Sequence, residues 1–137
     1  GRRGPVCPFV PVALKRGSLY LTTVRTGPVD TAEAVGAVVG RVSEFVKSTV
    51  ELFTTKLEPT EGKFKAYKAL VMTFPDIPQD KAPQTIDVVQ ARIKPEFVKL
   101  GLMLGEFHMF NNGAGLRNPN FFPLRTPVPV LAVRHMV

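Results

Sequence analysis

Residues 30–57 read DTAEAVGAVVGRVSEFVKSTVELFTTKL, and this stretch decides the fold. Val35, Val38, Val39, Val42, Phe45, Val46, Thr49, Val50 and Phe53 recur at the three-and-four spacing of one helical face. Arg41, Glu44, Lys47, Ser48 and Glu51 lie largely opposite. The pattern predicts one long amphipathic helix from Asp30 to about Leu57. Asp30 with Glu33 three residues on has the form of a capping box. Gly36 and Gly40 cost helix stability. Their spacing of four places them on one side, where a neighbouring backbone could approach closely. Pro59 and Gly62 mark the end of the element.

Working outward, each side of this helix reads as strand. Ser18 to Thr26 is mostly aromatic, aliphatic or β-branched and stops at Gly27-Pro28. Tyr67 to Phe74 has a continuously apolar centre, as a buried strand does, and stops at Pro75. A second helix follows over Thr85 to Leu100, with Ile86, Val89, Ile93, Phe97 and Leu100 on one side. Pro95 is expected to kink it or to begin a second short helix, and Gly101 stands where a helix C-cap belongs. Leu102 to Phe110 and Val128 to Met136 read as two further strands. The order β-α-β-α-β-loop-β predicts an α+β fold: a mixed sheet of about four strands with helices packed on one face.

Two segments stand outside this frame. Residues 1–17 carry Pro5, Pro8 and Pro11 and read as an extended lead-in with one apolar side. Residues 111–127, between the last two strands, form a loop longer than compact domains usually contain. Leu116, Phe121, Phe122 and Leu124 argue for an ordered loop over a site; a self-packed Ω-like loop or a dimer contact is the alternative.

The chain of 137 residues is one domain, 1–137, of ordinary size. Hydrophobic residues make up 45% and charged residues 21%, a globular balance and not a disordered one. No apolar run approaches the roughly 18–20 residues of a membrane span, and no secretory pattern is present. A cytoplasmic protein without a membrane partner is expected. The single cysteine, Cys7, forms no internal disulfide. The net charge of +7 suits an anionic small molecule, but the cations are scattered and no nucleic-acid-binding motif occurs, so no nucleic-acid partner is expected.

Few residues are suited to chemistry. Cys7 is either a small buried hydrophobe or a thiolate, which could attack an electrophile or ligate iron. Glu106 and His108, two apart, share one face of a strand that opens into the long loop. They are either an acid-base pair or an ordinary hydrogen-bonded couple. His135 reads as structural, on the opposite side of its strand from Arg134. Arg117 and Arg125 in the loop, with Arg134 on the fourth strand, could clamp a carboxylate or phosphate, or be solvated. No nucleophile elbow, P-loop, dinucleotide fingerprint, zincin helix or calcium loop is present.

Four stretches carry a resemblance. They are Cys-Pro-Phe-Val-Pro at 7–11, Val-Met-Thr-Phe-Pro-Asp at 71–76, Gly-Leu-Met-Leu-Gly-Glu-Phe-His at 101–108 and Leu-Arg-Asn-Pro-Asn-Phe-Phe-Pro-Leu-Arg-Thr-Pro at 116–127. In these the chain resembles a bacterial domain family of unknown function often encoded near natural-product pathways. More distantly, through Cys7-Pro8-Phe9 and the order of elements, it is similar to the YqcI/YcgG-type proteins, some of which are haem-dependent enzymes that oxidise amine nitrogens. That resemblance implies a small haem-dependent oxidoreductase of specialised metabolism acting on a small-molecule substrate. It implies Cys7 or His108 as axial ligand, Phe121 and Phe122 as pocket walls, and Arg117 or Arg125 toward the haem propionates or substrate. Two other readings remain open on the residues themselves. One is a cofactor-independent lyase or isomerase using Glu106 and His108. The other is a non-enzymatic ligand-binding module, with a homodimer covering the second sheet face.

Overall fold

The computed structural model describes residues 18–109 and 127–136. Cys7, Arg117, Phe121, Phe122 and Arg125, with the lead-in and most of the long loop, lie outside the described residues.

Strand β1 (Leu19–Thr23) leads to helix α1 (Ala32–Glu51), which runs on into a π-helical turn, Leu52–Lys56. A 3-10 turn at Lys63–Tyr67 precedes β2 (Ala69–Thr73). A second 3-10 turn, Gln79–Lys81, leads into helix α2 (Ala82–Lys99), and β3 (Leu102–Phe107) and β4 (Val130–His135) complete the chain of elements. The four strands form one mixed sheet in the order β1-β2-β4-β3. β1 and β2 are parallel, with Leu19 opposite Ala69 and Thr23 opposite Thr73. β4 is antiparallel to both of its neighbours, β2 and β3. β1, β2 and β3 therefore all point the same way.

Alternation along the strands fixes the two faces. Leu70 and Met72 of β2, Leu131 and Val133 of β4, and Leu102 and Leu104 of β3 are buried together. Val38, Val39, Val42, Val46 and Phe53 from the first helical segment and Ile86, Val89, Ile93 and Phe97 from α2 close the same apolar cluster. Both helices thus cover one face, as the sequence predicts. The other face presents Leu21, which is 71% exposed, and Met103 beside half-buried Val71 and Ala132.

Several local expectations need correction. The N-cap is Thr31 and not Asp30: Thr31 has extended φ and ψ, and its hydroxyl accepts from the Ala34 amide at 3.0 Å. Asp30 stands one residue too early to reach the donors of the first turn. Phe45, assigned by spacing to the core face, is 40% exposed. Gly36 and Gly40 face open space, with no atom within 4 Å of where a Cβ would stand. α2 continues as helix through Pro95, because Ile93 and Phe97 on either side are both buried and tertiary packing overrides the lost amide. Gly101 does end α2, with φ of 73° and its amide donating to Val98 O at 3.0 Å.

Candidate functional site at the carboxyl end of the sheet

Because β1, β2 and β3 run in one direction, their carboxyl ends meet at one end of the sheet, with the start of β4 between them. α1 and α2 each begin just after such a strand, so both helices also start there. In α/β sheets this end is where ligands bind. The chain leaves the described part after Met109 and re-enters at residue 127, also at this end.

At the β3 side stands His108, one residue past the strand and 0% exposed. Its Nε2 lies 2.8 Å from Asp87 Oδ1, which comes from α2. The Asp87 side chain is 40% exposed. A carboxylate only accepts, so Nε2 carries the shared hydrogen. Two glutamines hold β3 to α2 and its preceding turn: Gln90 Nε2 donates to Leu104 O at 3.0 Å, and Gln79 Oε1 accepts from the Met109 amide at 2.9 Å. Glu106 pairs in register with Leu131, which puts it on the helix-covered face, half-buried. The sequence sets Glu106 beside His108, and the structure adds Asp87 on its Nε2.

At the β1–β2 side, Asp76 ties two strand ends together. Its Oδ2 accepts from Arg25 Nε (3.1 Å) and from the Thr26 and Gly27 amides (2.9 and 3.1 Å), while Oδ1 accepts from Arg25 Nη2 at 2.5 Å. The Arg25 guanidinium, aided by the two amides, holds the Asp76 carboxyl below the usual carboxylate range. Arg41 Nη2 from α1 donates to Thr26 O at 2.9 Å.

The opposite end of the sheet holds a third cluster. Lys68 is 0% exposed. Its Nζ donates to Phe53 O at 2.5 Å and Leu57 O at 2.8 Å, and stands 4.6 Å from the Phe53 ring centroid. The lysine satisfies carbonyls that the π-helical turn leaves without helical partners. Burial pushes its pKa down. His135 stacks on the same Phe53 ring at 5.1 Å, and its buried Nε2 has no hydrogen-bond partner among the described residues. Burial first, then Lys68 and Lys65, hold the imidazole below its usual pKa.

The profile of the family described as Domain of unknown function (DUF6875) matches residues 1–137. The chain belongs to that family. No curated protein and no solved structure matches it.

In this DUF6875 domain the described residues bring His108 and Glu106 to one strand end and add Asp87, which no local pattern marked. Asp87 meets His108 only because the crossover helix α2 packs beside β3. Asp76, Arg25 and Lys68 were likewise unmarked. A buried lysine inside an apolar strand run and an aspartate between two prolines were the available signals. His135 stacks on Phe53 and lies on the opposite side of β4 from Arg134. Of the residues that the haem expectation names, only His108 is described, and its Nε2 contacts Asp87 Oδ1 at 2.8 Å. Among the described residues no group of three or more His, Cys, Asp or Glu side chains is positioned to hold a metal ion. No helix among them is long and apolar enough to cross a membrane.

Proposed function

We propose that the DUF6875 domain is an enzyme that moves a proton on a small molecule at the carboxyl end of its sheet, as a lyase or isomerase does. The observation that carries this is the 2.8 Å contact between a fully buried imidazole, His108, and a carboxylate, Asp87, whose side chain is 40% exposed. The buried ring reaches no substrate; the exposed carboxylate does. Asp87 is therefore the group that takes or gives the proton. His108 holds Oδ1 and sets which oxygen faces outward, the role a buried second residue plays behind a catalytic base. Glu106 lies farther back on the same strand and supports the polarity of this end.

The test is solvent exchange. A panel of small keto and hydroxy acids is incubated with the protein in deuterium oxide and followed by proton NMR. Carbon-bound deuterium should appear faster than in buffer. Asp87→Asn should slow it by about 10²–10⁴-fold, in line with loss of a general base. Cys7→Ser should leave it unchanged. Equal rates for the native protein and Asp87→Asn overturn the reading.

A second reading rests on Cys7-Pro8-Phe9 and the distant similarity to haem-dependent N-oxygenases. With His108 engaged by Asp87, Cys7 is the ligand that this reading requires, and Arg117, Arg125, Phe121 and Phe122 would line the pocket. A Soret band in protein from cells supplied with iron and a haem precursor, moved by Cys7→Ser, would put this reading first. We place the protein in the cytoplasm and assign a second copy of the chain to the open sheet face, a homodimer that would cover Leu21 and Met103.

A further inference from the structure

A pocket of about 210 Å³ lies where the end of β1 meets α1, lined by Val24, Arg25, Thr26, Arg41, Val42 and Phe45. We infer that it binds a small organic carboxylate, with the anion on the Arg41 and Arg25 guanidiniums and the hydrocarbon body against Phe45, Val24 and Val42.

Its place is the first argument. The pocket sits at the carboxyl end of the parallel β1–β2 pair, beside the helix that connects them. The second argument is the state of the two arginines. Arg25 uses Nε and Nη2 on Asp76, and Arg41 uses Nη2 on Thr26 O. Nη1 of Arg25 and both Nε and Nη1 of Arg41 keep donor capacity. Each guanidinium is thus tethered by part of its donor set, so a ligand gains charged donors that are already ordered. Two guanidiniums and the one Asp76 carboxylate leave a single net positive charge, which a monoanion neutralises.

The third argument is Phe45. It belongs by spacing to the buried side of α1, yet the residue is 40% exposed and lines this pocket. With Val24 and Val42 it gives a lining that inorganic phosphate would leave uncovered. The volume is below the ≈300 Å³ at which drug-sized sites begin, so the ligand is of about ten heavy atoms. The inference does not depend on the acid-base reading of Asp87, which concerns the other side of the sheet end.

Benzoate is the probe, with benzamide as its neutral isostere and inorganic phosphate as the anion without an apolar body. Titration into the full chain, followed by calorimetry and by ligand-observed NMR, should show saturable benzoate binding in the millimolar range, as expected for a ligand of this size. Benzamide and phosphate should each bind at least about tenfold more weakly, the factor that loss of one charged contact or of the apolar contact represents. Arg41→Gln, a helix-compatible change at an exposed position, should weaken benzoate by a similar factor. Arg41→Lys, which keeps the charge but loses the fork, should fall between. Thermal melting checks that both variants are folded. Benzamide binding as tightly as benzoate, benzoate binding unchanged in folded Arg41→Gln, or no saturation by about 20 mM overturns the inference.

Discussion

His135 shows how one side chain sets a pH response. Its ring stacks on Phe53 beside the Lys68 ammonium, and burial with Lys68 and Lys65 disfavours the imidazolium. The folded pKa lies below the usual value near 6.5, so on acidification the unfolded chain takes up a proton before the folded one. This contribution to stability is complete at neutral pH and is lost as pH falls from about 6.5 through the folded value. Urea midpoints measured at pH 7.5 and 5.5 should therefore fall on acidification, and His135→Phe should flatten that fall. An equal fall in the variant would show that other groups carry the response. Strand alternation in the sequence places His135 on the side opposite Arg134. It does not reveal Lys68 as its neighbour, because the two approach only across the β2–β4 pairing and under the π-helical turn.

At the scale of elements, α1 shows where pattern reading succeeds and where it stops. Eight apolar positions and Thr49 at helical spacing identify the element, and Val38, Val39, Val42, Val46 and Phe53 are indeed buried. Which residue caps it depends on backbone angles that composition does not carry. Thr31→Ala should destabilise the fold by about 1 kcal/mol, and Asp30→Ala should not, since only the Thr31 hydroxyl receives a first-turn amide. Chemical denaturation of both variants checks this. The contact of His108 with Asp87 escapes local reading for a related reason. Glu106 is its near neighbour in sequence, but Asp87, 21 residues away, reaches it from the packed helix. Local spacing ranks candidates along one element and is blind to the partner that packing delivers from another.

For the molecule as a whole, the two-layer fold was legible because alternation in the strands and periodicity in the helices agree on one buried face. The direction of the strands follows from the crossover helices. The insertion of β4 between β2 and β3 has no sequence signal, yet it brings three carboxyl ends, two helix starts and the His108–Asp87 pair to a single end. The second sheet face remains apolar in part, with Leu21 and Met103 exposed. If a second copy covers that face, Leu21→Lys should convert a dimer to a monomer of 15.0 kDa by light scattering, with the helical circular dichroism unchanged. A native protein that is already monomeric at all concentrations would remove the dimer from the account.

The position of β4 also orders events during synthesis. Among the described residues β3 hydrogen-bonds to no earlier strand of this sheet, and its strand partner is β4. While the ribosome has yet to release residues 130–135, β1 and β2 can pair and both helices can form, but β3 has no backbone ladder to join. The nascent chain must hold β2 with an open edge until β4 arrives to complete both pairings in one step. Chaperones that recognise unpaired strands therefore have a defined interval in which to act on this domain, and it closes only when the strand between β2 and β3 has emerged.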